Sequence, residues 1–290
     1  MSAIHCPLPT FCEQRVSRDI SKILDGWDFD PDQVSVRIVK GEDGREKIQL
    51  RLDLGLIQME VDGRPDGRRP EDCDSWLDYY RQRQAAHDAA HPDAASFQLS
   101  DTDCERLLRE GIQYYHRYLS FWHLQRYELC ARDTNRNLVL FKFVRDHVPH
   151  ERDRLKFDQW RPYVLLMHAR AVATPLAELE DYDAAVRAID AGIQGIRDFL
   201  AEYGQAERAD DCVELKQLLR WRKEIADKGS PPLLPAAPAD PLEQLRTSLT
   251  KAVEDEKFEE AARLRDEIRR VSDMAFPPGS PFPPGSEEKM

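Results

Sequence analysis

The segment Gly229-Ser230-Pro231-Pro232-Leu233-Leu234-Pro235-Ala236-Ala237-Pro238-Ala239 places four prolines within eleven residues. Proline fixes φ, has no backbone N–H and cannot continue a helix or a central strand, so this run reads as an extended, semi-rigid linker without a core of its own. It cuts the 290-residue chain into two parts that must each fold by their own patterning. Residues 1–228 are long enough to bury a sizeable core without disulfides or metals. Residues 240–273 are a short helical pattern, and 274–290 carry Phe276-Pro277-Pro278-Gly279-Ser280 and again Phe282-Pro283-Pro284-Gly285-Ser286, a composition that reads as a disordered tail.

Along the N-terminal part the period of the apolar residues changes twice. Residues 1–33 are a leader followed by a short amphipathic piece, Ser17 to Leu24, which Trp27 and Phe29 would pin to the body. Over 34–69, Val34, Val36 and Ile38 alternate with their neighbours, Gly41-Glu42-Asp43-Gly44 makes a turn, and Ile48, Leu50, Leu52 and Leu54 resume the alternation. With Leu56 to Val61 this predicts a small antiparallel β-unit of three strands. Residues 70–228 read as a helical body. A helix opens at Trp76 and fades near His91-Pro92, and Ser100 with Asp101 and Asp103 starts a long one. That helix carries Leu107, Leu108, Ile112, Tyr115, Leu119 and Trp122 toward Ala131. Asp133 is read as the cap of the next helix, and further helices are expected from Phe157 to Leu179, Tyr182 to Tyr203 and Ala206 to Ala226. The pair within 157–203, with its small alanines and acidic turn, has a tetratricopeptide-like pattern, although one such unit is too few for a solenoid. The predicted fold class is α+β, mostly α.

In 240–273 the apolar positions Leu242, Leu245, Leu249 and Ala252 step by three or four. After Glu254-Asp255-Glu256-Lys257 the stripe restarts with Phe258, Ala261, Ala262, Leu264, Ile268 and Val271. This predicts an antiparallel helical hairpin, too short to bury more than one face of each helix. The string Lys257-Phe258-Glu259-Glu260-Ala261-Ala262-Arg263-Leu264-Arg265-Asp266-Glu267-Ile268 resembles the second half of the UVR motif of the UvrB and UvrC excision-repair proteins. The resemblance implies a hairpin through which proteins associate, as it does between UvrB and UvrC, in Clp-type chaperone subunits and in an activator of protein-arginine kinase. It further implies a partner-binding set of Leu245, Leu249, Phe258, Glu259, Ala261, Ala262, Leu264, Arg265, Asp266 and Ile268. UvrB/UvrC-like and Clp-like proteins are the partner classes it suggests, and two such hairpins could also cover each other in self-association.

The charge balance narrows the function classes. With 42 basic against 54 acidic residues the formal charge is −12, which disfavours direct binding to nucleic acid or to anionic lipid. No apolar run reaches the ~18 residues needed to span a membrane. The six cysteines form no C-x-x-C pair, so they read as reduced thiols of a cytoplasmic protein. There is no G-x-x-x-x-G-K-[ST] loop, G-x-S-x-G elbow or G-x-G-x-x-G turn. His87 with His91, His147 with His150, and the alternating Asp28, Asp30 and Asp32 all fall short of metal-ligand patterns. The aromatic run Tyr114 to Tyr127 reads as core, and Arg126, Arg132 and Arg136 as either an anion-binding edge or ordinary partners of nearby acids. The expectation is a non-enzymatic adaptor without catalytic residues, metal or cofactor, serving excision repair or chaperone and protease regulation. The alternative is an enzyme or small-ligand protein with His116, His123, Arg126 or Asp133 converging on a pocket in the helical body.

Overall fold

The computed structural model describes residues 19–92 and 96–229, and in the C-terminal part residues 249, 251, 257, 260 and 263–265. The linker from Ser230 onward, the tail and most of the leader lie outside the described residues. The chain divides into two units, Met1–Gly229 and Ser230–Met290. Among the described residues the architecture is α+β and mostly α. A short α1 (Ser21–Leu24) precedes a three-stranded antiparallel sheet, β1 (Val36–Lys40), β2 (Glu46–Leu52) and β3 (Gly55–Glu60), in the order β1-β2-β3. Then come α2 (Trp76–Ala90), α3 (Asp101–His123), α4 (Tyr127–His147), α5 (Glu151–Asp158), α6 (Arg161–Glu178), α7 (Tyr182–Glu202) and α8 (Val213–Gly229). None of these helices is long and apolar enough to cross a membrane.

The sheet follows from its alternation. Ile38 pairs with Ile48 and Ile48 with Met59, while Val36 pairs with Leu50 and Leu50 with Ile57, so one face is aliphatic. The opposite face is a polar ladder in which Arg37 Nε donates to Gln49 Oε1 at 2.8 Å and Gln49 Nε2 to Gln58 Oε1 at 2.9 Å. Trp27 lies against this face, 3.9 Å from the Arg37 guanidinium, and its indole N–H donates to Ser35. Leu54 departs from the expected strand: β2 ends at Leu52 and β3 begins at Gly55, so Asp53 and Leu54 form a two-residue hairpin tip, and Leu54 is 90 % exposed. Of the expected helix Ser17 to Leu24, Ser21–Leu24 is helical, Asp19 and Ile20 precede the helix, and Ser17 and Arg18 lie outside the described residues.

Two apolar cores meet on α6. Val164, Met167 and Ala171 of α6 join the sheet, α2, α3 and α4. Leu166, Ala169 and Ala173 of the same helix join Ile189, Ile193 and Ile196 of α7 and Leu215, Leu218 and Ile225 of α8. The α6–α7 approach needs Gly192, because a Cβ there would stand 2.7 Å from the Ala169 Cβ. Asp158, buried at the end of α5, bridges the two cores: it accepts from Arg145 of α4 at 3.2 Å and from the Tyr203 hydroxyl at 2.9 Å. Burial, together with that bond, pushes the Tyr203 phenol up to about 12.

Several helix boundaries differ from the sequence reading. α3 does begin with the Ser100–Asp103 capping box. It stops at His123 instead of running toward Ala131, because Gln125 takes a left-handed φ of 56° and Arg126 N donates to Phe121 O. The buried face of α3 carries Leu107, Glu110, Tyr114, Arg117, Tyr118 and Phe121, rotated from the expected stripe, and Ile112 and Tyr115 are exposed. Asp133 caps nothing; it is wholly buried in the middle of α4. The stretch read as one helix from Phe157 to Leu179 is α5 and α6, broken at Gln159-Trp160 with Pro162 in the first turn of α6. Ala206–Asp211 is a 3-10 turn, and α8 starts only at Val213.

The interior is tied together by charge. Arg117 of α3, 1 % exposed, donates Nε and Nη2 to the Asp133 carboxylate at 2.6 and 3.0 Å, and Nη1 to Glu60 O and Gly63 O at 3.0 and 2.8 Å. One guanidinium thus joins α3, α4 and the end of β3. Glu110, wholly buried one heptad earlier, accepts from the backbone N–H groups of Trp76 and Leu77 at 2.8 and 3.2 Å and pairs with Arg136 and Arg64. A carboxylate of α3 therefore satisfies the first amides of α2, where the helix dipole favours negative charge.

Removing one partner of such a pair leaves an uncompensated buried charge. Asp133→Asn should cost about 3–5 kcal/mol in urea unfolding, and a double replacement of Arg117 and Asp133 by apolar residues of similar volume should recover much of that loss. Glu180, left-handed at the end of α6 with φ 61°, tests the caps: Glu180→Gly should raise stability by about 1 kcal/mol, read as a higher Tm.

Candidate functional site

Three places in the molecule carry the residues singled out by sequence. The first is the C-terminal segment. Leu249, Lys251, Glu260, Arg263, Leu264 and Arg265 are helical and Lys257 lies between helical stretches. Leu249 and Leu264 are half-buried, whereas Lys251, Lys257, Glu260, Arg263 and Arg265 are exposed. That contrast is what an amphipathic helix requires. Leu249, Leu264 and Arg265 are thus placed, while Leu245, Phe258, Glu259, Ala261, Ala262, Asp266 and Ile268 lie outside the described residues.

The second is the arginine group of α4. Each member meets protein carboxylate: Arg126 pairs with Glu46 at 3.1 Å, Arg132 with Asp62 at 2.9 Å and Asp133 at 3.0 Å, and Arg136 with Glu110. The group is therefore ordinary pairing with nearby acids, at the surface for Arg126–Glu46 and Arg132–Asp62 and with a buried carboxylate for Arg136–Glu110. Arg136 also lies over the Tyr114 ring at 4.0 Å, and its Nη1 is buried without a hydrogen-bond partner among the described residues. The aromatic run is mostly core, as Tyr114, Tyr118 and Phe121 are buried and Trp122 packs on that core.

The third is the α3 surface beside the sheet. A recess of ≈ 190 Å³ lies between β3 and α3, with Ile57, Met59, Pro65, Gln113 and His116 among its lining residues. That volume is below the roughly 300 Å³ at which small-molecule pockets usually begin. His116 lines it, but Asp133 is committed to Arg117, Arg126 to Glu46, and His123 is exposed at the end of α3, so these four residues do not converge. Burial holds the His116 and His168 imidazoles below the ordinary histidine value, which favours their neutral form. Burial also pushes the Cys104 thiol up to about 11 and the Cys130 thiol to about 12, with Asp101 and Asp133 respectively adding to the effect. Both are therefore thiols and not nucleophilic thiolates.

His87 and His91 have ring centroids 5.0 Å apart, with Nδ1 of His91 against His87 O and Nδ1 of His87 against Asp88. No group of three or more His, Cys, Asp or Glu side chains comes together as a metal site among the described residues. Two features escaped the sequence reading: the recess, which depends on how α3 lies against β3, and the Arg117–Asp133 pair. A signal for the pair existed, since Glu110 and Arg117 interleave with Leu107, Tyr114 and Phe121 at heptad spacing on one helical face.

In comparisons with known proteins, no curated protein and no solved structure matches the chain. Residues 240–273 match the family described as the UvrB/uvrC motif, so the C-terminal segment is similar to the UVR hairpin in the stretch where Leu249, Leu264 and Arg265 lie.

Proposed function

We propose that this protein is a non-enzymatic adaptor that grips a protein partner through its C-terminal hairpin, in excision repair or in chaperone and protease regulation. The match of residues 240–273 to the UvrB/uvrC motif carries this reading. The physical argument is one of unfinished burial. A pair of helices this short buries one apolar face each, and Phe258 with Leu245, Leu249, Leu264 and Ile268 offers more apolar surface than the pair can enclose. A partner helix or a second hairpin would cover the remainder, with Glu259, Arg265 and Asp266 at the rim setting orientation.

The proline-rich segment supports the same reading. An extended linker keeps the hairpin near the body at high effective concentration, so one partner touching both surfaces gains avidity without a new contact. The formal charge of −12 favours a protein partner over a phosphate backbone.

The test is quantitative mass spectrometry of proteins recovered from native lysate with the wild-type chain, with Phe258→Asp and with a truncation ending at Ser230. The expected outcome is one partner lost from both variants, while circular dichroism melting of Phe258→Asp stays as in the wild type. Recovery of the same proteins by all three baits would remove the hairpin as the docking element.

A further inference from the structure

The aliphatic face of the sheet runs past the core that covers it. Ile48 and Leu50 of β2 are buried in the larger core, but Leu52, next on the same face, is 37 % exposed. Arg51 N donates to Ser35 O at 2.9 Å, which carries the pairing one residue beyond β1 and sets Val34, 40 % exposed, opposite Leu52. Leu54 stands bare on the hairpin tip. Ile20 joins the group, because its Cδ1 lies 3.5 Å from where a Cβ on Gly55 would be, and Gly55 pairs with Leu52. Ile20 and Ile23, three residues apart along α1, are each 45 % exposed. Single exposed aliphatic side chains are ordinary, but a contiguous group at one end of a sheet is a surface that something covers.

The same end is acidic. Asp25 and Asp28 follow α1, Asp32 precedes Val34, and Asp53 stands between Leu52 and Leu54; all four are exposed. Among the described residues no arginine or lysine pairs with any of them. The chain reaches this end from residues 1–18, and Val16 is only four residues from Ile20. Those eighteen residues carry Ile4, Leu8, Phe11 and Val16, with Arg15 and Arg18 against the single acid Glu13. Pro7 and Pro9 fix two φ angles, which lowers the entropy lost when such a segment is held in place.

We propose that residues 1–18 of the same chain cover this end, with Phe11 and Val16 over Ile20, Ile23, Leu52 and Leu54, and with Arg15 and Arg18 meeting the aspartates. Tethering favours this occupant over a free one. A segment joined two residues before Ile20 is present at an effective concentration in the millimolar range, which any separate partner must exceed. Charge favours it as well. The segment brings a net positive charge to the aspartates, whereas a second copy docked on this end would set the same four aspartates against these four. Reach is sufficient, since the nine residues from Phe11 to Ile20 span about 30 Å when extended and Leu54 adjoins Gly55, the residue against Ile20. The proposal lies within Met1–Gly229 and does not rest on the C-terminal segment.

Thiol labelling at position 54 tests this. In the reduced full chain carrying Leu54→Cys, labelling of that position by a maleimide is followed by peptide mass spectrometry. Adding Phe11→Asp should speed it roughly tenfold, and so should deletion of residues 2–18, because each removes the cover. A control chain carrying Leu179→Cys, at a position 79 % exposed after α6, should label at one rate in all three backgrounds. Mild oxidation of the Leu54→Cys chain should join position 54 to Cys12, the neighbour of Phe11, within one chain. Circular dichroism of Phe11→Asp should match the wild type. Equal labelling of position 54 with and without Phe11→Asp overturns the proposal. So does protection that survives the deletion and grows with protein concentration, or oxidation that joins position 54 only between chains, either of which makes a second copy the occupant.

Discussion

The pairing of Arg117 with Asp133 is the contact on which the larger of the two cores is built. A guanidinium and a carboxylate, both about 1 % exposed, are costly to strip of water, and their mutual attraction repays that only when every donor and acceptor is used. Here Asp133 also accepts from Arg132 at 3.0 Å, and the remaining arm of Arg117 is spent on two carbonyls at the end of β3. A pair so satisfied adds little net stability over an apolar replacement, but it discriminates sharply between arrangements. A shift of α4 by one residue against α3, or of the sheet against both, would bury an unpaired charge. Glu110 repeats the device one heptad earlier by holding the start of α2. The helical body and the β-unit are thus registered to one another by charges, while the aliphatic core supplies the bulk of the stability.

What the sequence disclosed depended on whether the determining interaction was local. The capping box at Ser100 and Asp103, the turns flanking the strands, and Pro92 after α2 act within a few residues, and these features stand where the pattern put them. The α3–α4 break was hidden because its left-handed position is Gln125 and not glycine, and apolar residues continue across it. With that break unseen, Asp133 stood near a supposed helix start and looked like a cap. The misplaced stripe on α3 has a related cause. The helix bears apolar residues on two faces, and the fully apolar one, with Ile112 and Tyr115, was the more persuasive. The buried face contains Glu110 and Arg117, whose compensation comes from residues 76, 77 and 133, distant in sequence.

The candidate site shows the opposite balance. The C-terminal motif was legible from a dozen consecutive residues, and residues 240–273 match the UvrB/uvrC motif where the string Lys257 to Ile268 suggested it. The bare hairpin tip was not legible at all. Alternation carried Leu54 into a strand, and only the two-residue closure between Leu52 and Gly55 exposes it. Edges and recesses are properties of chain path, and periodicity does not encode them.

The electrostatics of the body bear on what it can meet. Arg64, Arg117, Arg132, Arg136, Arg145 and Arg161 each contact a carboxylate, and most of the carboxylates involved lie inside the fold or at its margin. The buried carboxylates Glu110, Asp133 and Asp158 are each shared by two arginines, so these clusters withdraw more cations than anions from solvent, while the formal charge of the chain stays at −12. The arginines that looked in sequence like a cationic edge are spent in holding the fold together. What faces solvent is more acidic than the composition alone suggests, which repels phosphate backbones over a Debye length and leaves short-range apolar contacts to select partners.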